Sequence, residues 1–292
     1  VEGNVHIYGE IVSATAATKT ATYYDLYNDG ETITIAGKNY DKTTYGEATL
    51  VSEDASITAI DNSKIIYFVN SDATLTFNAS GKAVAKLIII GNNLEQRSPM
   101  KISCQVALNQ GAGNTDGTLV LYNLDVDASN ANAHVFAQNR DGAYGYVGII
   151  GSSLKMPAGK QLSYVSSTAR SFAEFVFEDS EIEIPSTSQA KLFSFSESQA
   201  NHGKISFKNN ILYSEGGVTD FRIYEGSKTT LDSFTFENNT VVNLWSLTNG
   251  CVLYTSLENV SVTKNIFWTN KTTANMCIFR PSDTSAETGI PY

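Results

Sequence analysis

The chain repeats one arrangement of apolar and polar positions. Its clearest copy is Phe234-Thr235-Phe236-Glu237-Asn238-Asn239-Thr240-Val241. It reads apolar, any, apolar, two of anything, small polar, any, apolar. Each half has the period of two that sends alternate side chains to opposite faces of a strand. The polar corner between them suits Asn, whose short side chain tolerates left-handed backbone. Further copies run over 57–62, 87–92, 147–152, 175–180, 205–210 and 260–265. Residues 119–124 fit with the polar residue displaced to Asn123. Successive sixth positions (62, 92, 124, 152, 180, 210, 239, 265) are 26 to 32 residues apart. A second apolar stretch follows the later corners, at 162–165, 192–195, 221–224, 252–254 and 276–279.

A fixed period in this range denotes stacked repeats, each one supersecondary unit. No stretch has the 3.6-residue spacing of helical repeats, and no Leu recurs at the fixed places of a leucine-rich repeat. Propeller blades need longer repeats with hairpin turns. The pattern predicts an all-β, single-stranded, right-handed parallel β-helix of about nine coils with three strands per coil. The expected division is an end piece over residues 1–30, covering an open core, and the β-helix over 31–292. Inward columns should align Phe175/Phe177, Ile205/Phe207, Phe234/Phe236 and Val260/Val262 on coils about 4.8 Å apart. Asn92, Asn210, Asn239 and Asn265 should form a structural ladder of amides, with Ser152 and Ser180 as interruptions.

Composition narrows the function. The 292 residues are 42% hydrophobic, enough for a large core, and carry a net charge of −10. Such a surface argues against nucleic acid, whose binding needs clustered Lys and Arg. No run reaches the 18 or so apolar residues of a membrane span. The three cysteines, Cys104, Cys251 and Cys277, form neither a complete disulfide framework nor a zinc-ligand pattern. Cys251 and Cys277 each lie twelve residues after a corner Asn. They should share a column on adjacent coils, as reduced thiols. No cofactor or metal is expected from the residues.

With the repeated coils goes the segment Gly30-Glu31-Thr32-Ile33-Thr34-Ile35-Ala36-Gly37-Lys38-Asn39-Tyr40. It resembles the opening coil of pectate-lyase-like β-helix proteins, departing from their pattern at Lys38. Together these features resemble that superfamily, and more narrowly the secreted or surface β-helix proteins of gut Bacteroidetes. The resemblance implies an extracellular, outer-membrane-surface or periplasmic location. It also implies that the Asn corner joins two of the three sheets while the substrate groove follows the remaining one. The strands at 192–195 and 221–224 would then line the groove. Of the five arginines, Arg140, Arg170, Arg222 and Arg280 would lie on or just after it, and Arg grips carboxylates bidentately.

The polygalacturonase motifs of the superfamily are missing, and 201–204 and 222–224 are fragments that fail at the decisive positions. A lyase of this kind would also need calcium-binding carboxylates on adjacent coils. Asp125/Asp127 and Asp179/Glu181/Glu183 instead each sit within one coil, facing outward. His202 reads as a turn histidine before a core strand, and His6 and His134 are isolated.

Setting the inward aromatics Phe193/Phe195 over Phe221/Ile223 places Ser194 against Arg222, Ser196 against Tyr224 and Glu197 against Glu225. Two carboxylates on neighbouring coils would share a proton or a cation, a start for acid/base work on a glycosidic bond. In this reading Glu197 and Glu225 are the candidate catalytic pair. Arg170, Arg222, Tyr224 and Arg140 are the candidate substrate-binding residues. The expected function is recognition of a polysaccharide along the groove by a monomeric surface protein, without catalysis. The alternatives are a lyase or glycoside hydrolase acting on a uronic-acid-containing glycan, and a structural spacer or adhesin.

Overall fold

The computed structural model describes residues 21–109, 116–138, 141–165, 169–195, 201–225, 230–245, 251–254, 259–270 and 277–280. The strands form three parallel sheets of nine, nine and eight members, and a separate two-stranded hairpin. Sheet 1 precedes the polar corner and runs from Thr49–Val51 to Val260–Thr263. Sheet 2 follows the corner and runs from Ala55–Ile57 to Ile266–Trp268. Sheet 3 completes each coil, from Ala83–Val84 to Cys277–Arg280. Pairing skips from each strand to its counterpart one coil on, which is the topology of a parallel β-solenoid.

The inward columns form as the alternation requires. Phe177 pairs in register with Phe207, and Phe207 with Phe236. The Phe177 and Phe207 rings stack with centroids 4.9 Å apart, and the Phe207 and Phe236 rings meet at a tilt with centroids 5.8 Å apart. Val262 continues the file, and Phe267 of sheet 2 stacks on Phe236 across the core at 6.2 Å. Each buried side chain of this size contributes roughly 1.5–3 kcal/mol, and each aromatic pair about 0.5–1.5 kcal/mol more.

The corner divides two tasks between adjacent residues. The fifth template position takes the left-handed turn: φ is positive at Asn123, Gly151, Asp179, Asn209, Asn238 and Lys264. The sixth position builds the ladder, and here the serines continue it instead of interrupting it. The Ser152 N–H donates to Ser180 Oγ (3.2 Å), Ser180 N–H to Asn210 Oδ1 (3.0 Å), and Asn210 N–H to Asn239 Oδ1 (3.0 Å). Asn239 N–H donates to Asn265 Oδ1 at 2.8 Å. A hydroxyl serves because what the chain needs at each step is an acceptor for the next N–H. The Asn amides add a second bond, from Asn239 Nδ2 to Phe207 O at 3.1 Å. Asn239→Ser should therefore keep the acceptor and one hydroxyl donor, as Ser180 does toward Ile149 O, and lose the second N–H of the amide, costing about 1 kcal/mol in chemical denaturation. A cost near that of a full buried polar vacancy, about 3 kcal/mol, would mean that serine cannot hold the ladder here.

Three expectations fail at the N-terminal end. The 57–62 copy is no corner of sheet 1, because Ile57 lies in sheet 2 opposite Phe77. Asn92 is outside the ladder: Ser98 holds the position opposite Leu124. The segment resembling an opening coil is an antiparallel hairpin, Ile33–Ile35 with Lys38–Tyr40. Ala36 (φ 45°) and Gly37 (φ 75°) reverse the chain in two residues, as a turn with both central φ positive does.

This hairpin and the helices Tyr23–Asn28 and Lys42–Tyr45 lie against the outer face of sheet 1. Tyr27, Ile33, Ile35 and Tyr40 bury there against Ile66, Phe68, Ile88, Ile90, Val120 and Tyr146. Asn92 anchors the first helix, its Oδ1 accepting from Tyr24 N at 2.8 Å and its backbone oxygen from Tyr23 N at 3.1 Å. Lys38 pairs with Glu174 at 3.0 Å and sits 4.2 Å over the Tyr146 ring. Of the segment expected to cover the end of the core, residues 21–30 thus sit on its side; residues 1–20 lie outside the described ones.

Candidate functional site

The candidate residues were placed by aligning sheet 3 on its inward aromatics, and the observed register differs by three positions. Ala190 pairs with Phe221, Lys191 with Arg222, Phe193 with Tyr224 and Ser194 with Glu225. The reason is local. Leu192 and Phe193 are both fully buried, as are Ile223 and Tyr224, so apolar residues do not mark a strict period of two here. Corner lengths set the register instead, and a slip of an odd number of residues exchanges the faces.

Tyr224 consequently belongs to the core. It is fully buried, edge-on to Phe195 with ring centroids 5.5 Å apart, and cannot stack on a ligand. Glu225 lies opposite Ser194, not opposite Glu197, which is outside the described residues. The expected carboxylate pair is therefore not formed by the pairing of these strands. Arg140 is also outside the described residues.

Arg170 is not on sheet 3. It opens the sheet 1 strand Arg170–Glu178, pairing with Gly142. Its Nε donates to Asp141 Oδ1 at 3.1 Å and its Nη1 to the Gln138 carbonyl at 3.3 Å. Arg97 likewise braces coils: Nε donates to Gly151 O (3.0 Å) and Nη1 to Glu181 Oε1 (2.9 Å). Both are tied by charge-assisted bonds to the fold.

Arg222 remains on sheet 3. Its Nη2 lies 3.3 Å from Asp220 Oδ2, which also accepts from Gln189 Nε2 at 2.8 Å. Lys191 is its partner on the preceding coil. Two cationic residues therefore stand side by side on adjacent coils, with the Asp220 carboxylate bound to one of them. Next to this pair runs a single register file: Ala137, Tyr164, Ser194, Glu225, Tyr254 and Arg280 occupy equivalent positions on successive coils. Tyr164 is half-buried and its ring stacks on His134, centroids 4.5 Å apart. The Gln161 N–H donates to His134 Nδ1 at 3.4 Å, and burial, then Lys160, holds the His134 pKa below its ordinary value.

Cys251 and Cys277 are register partners, as their spacing required. Among the described residues no group of three or more His, Cys, Asp or Glu could hold a metal ion. Asp125, Glu181 and Glu183 lie on sheet 2 strands, away from sheet 3. His202 is no turn residue. It is 1% exposed within the sheet 1 strand Asn201–Lys208, stacked on Phe195 at 4.3 Å. Its position between buried partners was legible only in its spacing, two residues before the Lys204-Ile205 start of the template half. No helix among the described residues is long and apolar enough to cross a membrane. Set against family models, curated proteins and solved structures, the chain matches none of them.

Proposed function

We propose that this chain is a secreted or cell-surface protein of the pectate-lyase-like kind that recognises a polysaccharide along sheet 3 as a monomer, without cutting it. The observation that carries the reading is the register file of Tyr164, Ser194, Glu225, Tyr254 and Arg280, on which Tyr164 is half-buried and Ser194 buried, beside the register pair Lys191 and Arg222. Hydrogen-bonding and aromatic residue types recur there once per coil, about 4.8 Å apart, close to the length of one sugar in an extended chain. A polymer laid along the solenoid would run with this file, whose spacing the rigid backbone ladder holds in place before it arrives.

The test replaces Tyr164 and Lys191 together by Ala, since Tyr224 belongs to the core. Retardation in gels containing uronic-acid and neutral polysaccharides should be lost, with the melting temperature within a few degrees of the parent. Undiminished retardation would place the ligand elsewhere. New reducing ends or unsaturated products from any of these polymers would replace the binding-only reading with an enzymatic one.

A further inference from the structure

The outer face of sheet 2 changes character along the solenoid. Two register columns define it. One runs Asp125, Ser153, Glu181, Ile211, Thr240, Ile266. The other runs Asp127, Lys155, Glu183, Tyr213, Val242, Trp268. The earlier coils carry charges in ion pairs, Lys155 with Glu183 at 2.8 Å and Arg97 with Glu181 at 2.9 Å. The last three coils carry Ile211, Tyr213, Val242, Ile266 and Trp268 at the same positions, with Thr240 among them; Ile211, Ile266 and Trp268 are exposed, and Tyr213, Thr240 and Val242 are half-buried. Ile211 is 44% exposed, Ile266 62% and Trp268 53%. Their outward direction follows from their neighbours: Leu212 and Val241 are buried in the core, and Phe267 stacks on Phe236. Stacking further coils on the solenoid would leave these side chains outward.

A scattered exposed apolar residue needs no explanation, but five apolar or aromatic side chains around one threonine on a single sheet face, three of them exposed, do. The strip has a specific form. Tyr213 and Trp268 stand in one column with Val242 between them, so their backbones are two strand spacings apart, about 9.5 Å. In an extended β-linked sugar chain, alternate residues present the same face at about that interval. Aromatic rings offer such faces broad apolar area with few degrees of freedom to lose. The boundary of the strip is acidic. Glu181, Glu183 and Glu215 stand against Arg97 and Lys155 there, on a chain of net charge −10. Burial, and then the fields of Glu183, Glu181 and Glu215, push the Tyr213 phenol above its ordinary pKa. Carboxylates accept hydrogen bonds from sugar hydroxyls and repel a polyanion.

From the column of Tyr213 and Trp268, the exposed Ile211 and Ile266 beside it and the carboxylates at its edge, we infer a second binding face, on sheet 2, for a neutral, extended, β-linked polysaccharide. It does not depend on sheet 3. Thr240 and the carboxylates take hydroxyls at the side of the chain while the two rings carry alternate sugars.

The chain has two tryptophans, and Trp245 is buried at 3% exposure, so the solvent-sensitive part of the emission reports Trp268. Titration with hexasaccharides of β-linked glucose, mannose and xylose should shift that emission saturably for at least one of them, and a galacturonate hexasaccharide should not. Trp268→Ala and Tyr213→Ala should each weaken binding of the active hexasaccharide, measured by calorimetry, at least about tenfold. The melting temperature should stay unchanged and the Tyr164/Lys191 double variant should bind normally. The proposal is overturned if no neutral hexasaccharide perturbs Trp268, or if binding survives both single substitutions. A concentration-dependent dimer in sedimentation that Trp268→Ala abolishes would likewise overturn it, assigning the strip to a second copy of the chain.

Discussion

Gly203→Ala should lower stability by about 3 kcal/mol or more, the largest effect expected of any single methyl group added to this chain. Gly203 lies in the sheet 1 strand Asn201–Lys208, directly over Ala173 of the preceding coil. A Cβ there would stand 2.6 Å from the Ala173 carbonyl carbon and 2.9 Å from its Cα, with the carbonyl oxygen closer still. What it meets is backbone, so no rotamer change relieves it. Separating the strands would break their contacts on either side of this point, where Glu174 pairs with Lys204 and the Phe172 N–H donates to His202 Nδ1. Both strands skip one residue at this level: pairing passes from Phe172 to Glu174 in one ladder and from His202 to Lys204 in the next. The bend brings the two backbones together, and Gly is the residue that permits such an approach. Thermal melting should show a fall of roughly 6–12 °C. Adding Ala173→Gly should not restore it, because the obstructing atoms are backbone. Restoration by the second substitution would show side-chain crowding instead, and an unchanged melting temperature would refute the close approach altogether.

Acid should destabilise the protein through His202. The ring is buried at 1% exposure, and burial lowers its pKa from 6.5 to about 4. Its Nδ1 accepts from the Phe172 N–H at 3.3 Å, which puts the proton on Nε2, and among the described residues Nε2 has no partner. A second proton would have to enter at Nδ1, turning an accepted hydrogen bond into two opposed N–H groups beside Phe195. The sign follows from linkage. The folded pKa is depressed, so between about pH 6.5 and pH 4 the unfolded chain binds the proton and the folded chain does not. The stabilisation is complete above about pH 6.5 and is lost as pH falls, by up to ~1.4 kcal/mol per pH unit, levelling off near pH 4. The total is about 3 kcal/mol, an order-of-magnitude figure. His202→Gln can keep an acceptor for Phe172 N–H without the titration. The difference between parent and variant, from denaturant unfolding at several pH values, isolates His202 from carboxylates that also titrate. Parallel pH profiles for the two would mean that His202 is neutralised in some other way.

Both predictions concern sheet 1 near its 202–203 bend, and neither follows from hydrophobic spacing. The template ends where its apolar half begins, at Ile205. The two residues that matter sit just upstream, where the sequence shows only a polar Asn201-His202-Gly203-Lys204.

The sequence by itself determined the solenoid. One repeated eight-residue pattern requires paired strands and a corner every 26 to 32 residues. Stacking is the way such units bury their apolar faces, because none can do so alone. It determined the inward phenylalanine file, the polar corner and the alignment of Cys251 with Cys277, since all three follow from spacing within the coil. It also held an unread signal for the lateral cover. Leu87-Ile88-Ile89-Ile90 has no polar alternation, the mark of a strand buried on both faces.

Only the tertiary structure decided the rest. It set the sheet 3 register, where paired inward residues at 192–193 and 223–224 erase the period of two. That register moved Tyr224 into the core and set Glu225 opposite Ser194. It placed Arg170 on sheet 1 and bound it to Asp141, because residue order within a coil does not say where one sheet ends and the next begins. It turned Gly30–Tyr40 into a hairpin, since two consecutive positive φ angles at Ala36 and Gly37 outweigh a resemblance in letters. It gathered Ile211, Tyr213, Val242, Ile266 and Trp268 from three coils into one strip. Residues about 28 apart in sequence become neighbours about 5 Å apart only when the coils stack, and that stacking is the physical reason a surface site here cannot be read from any one stretch of the chain.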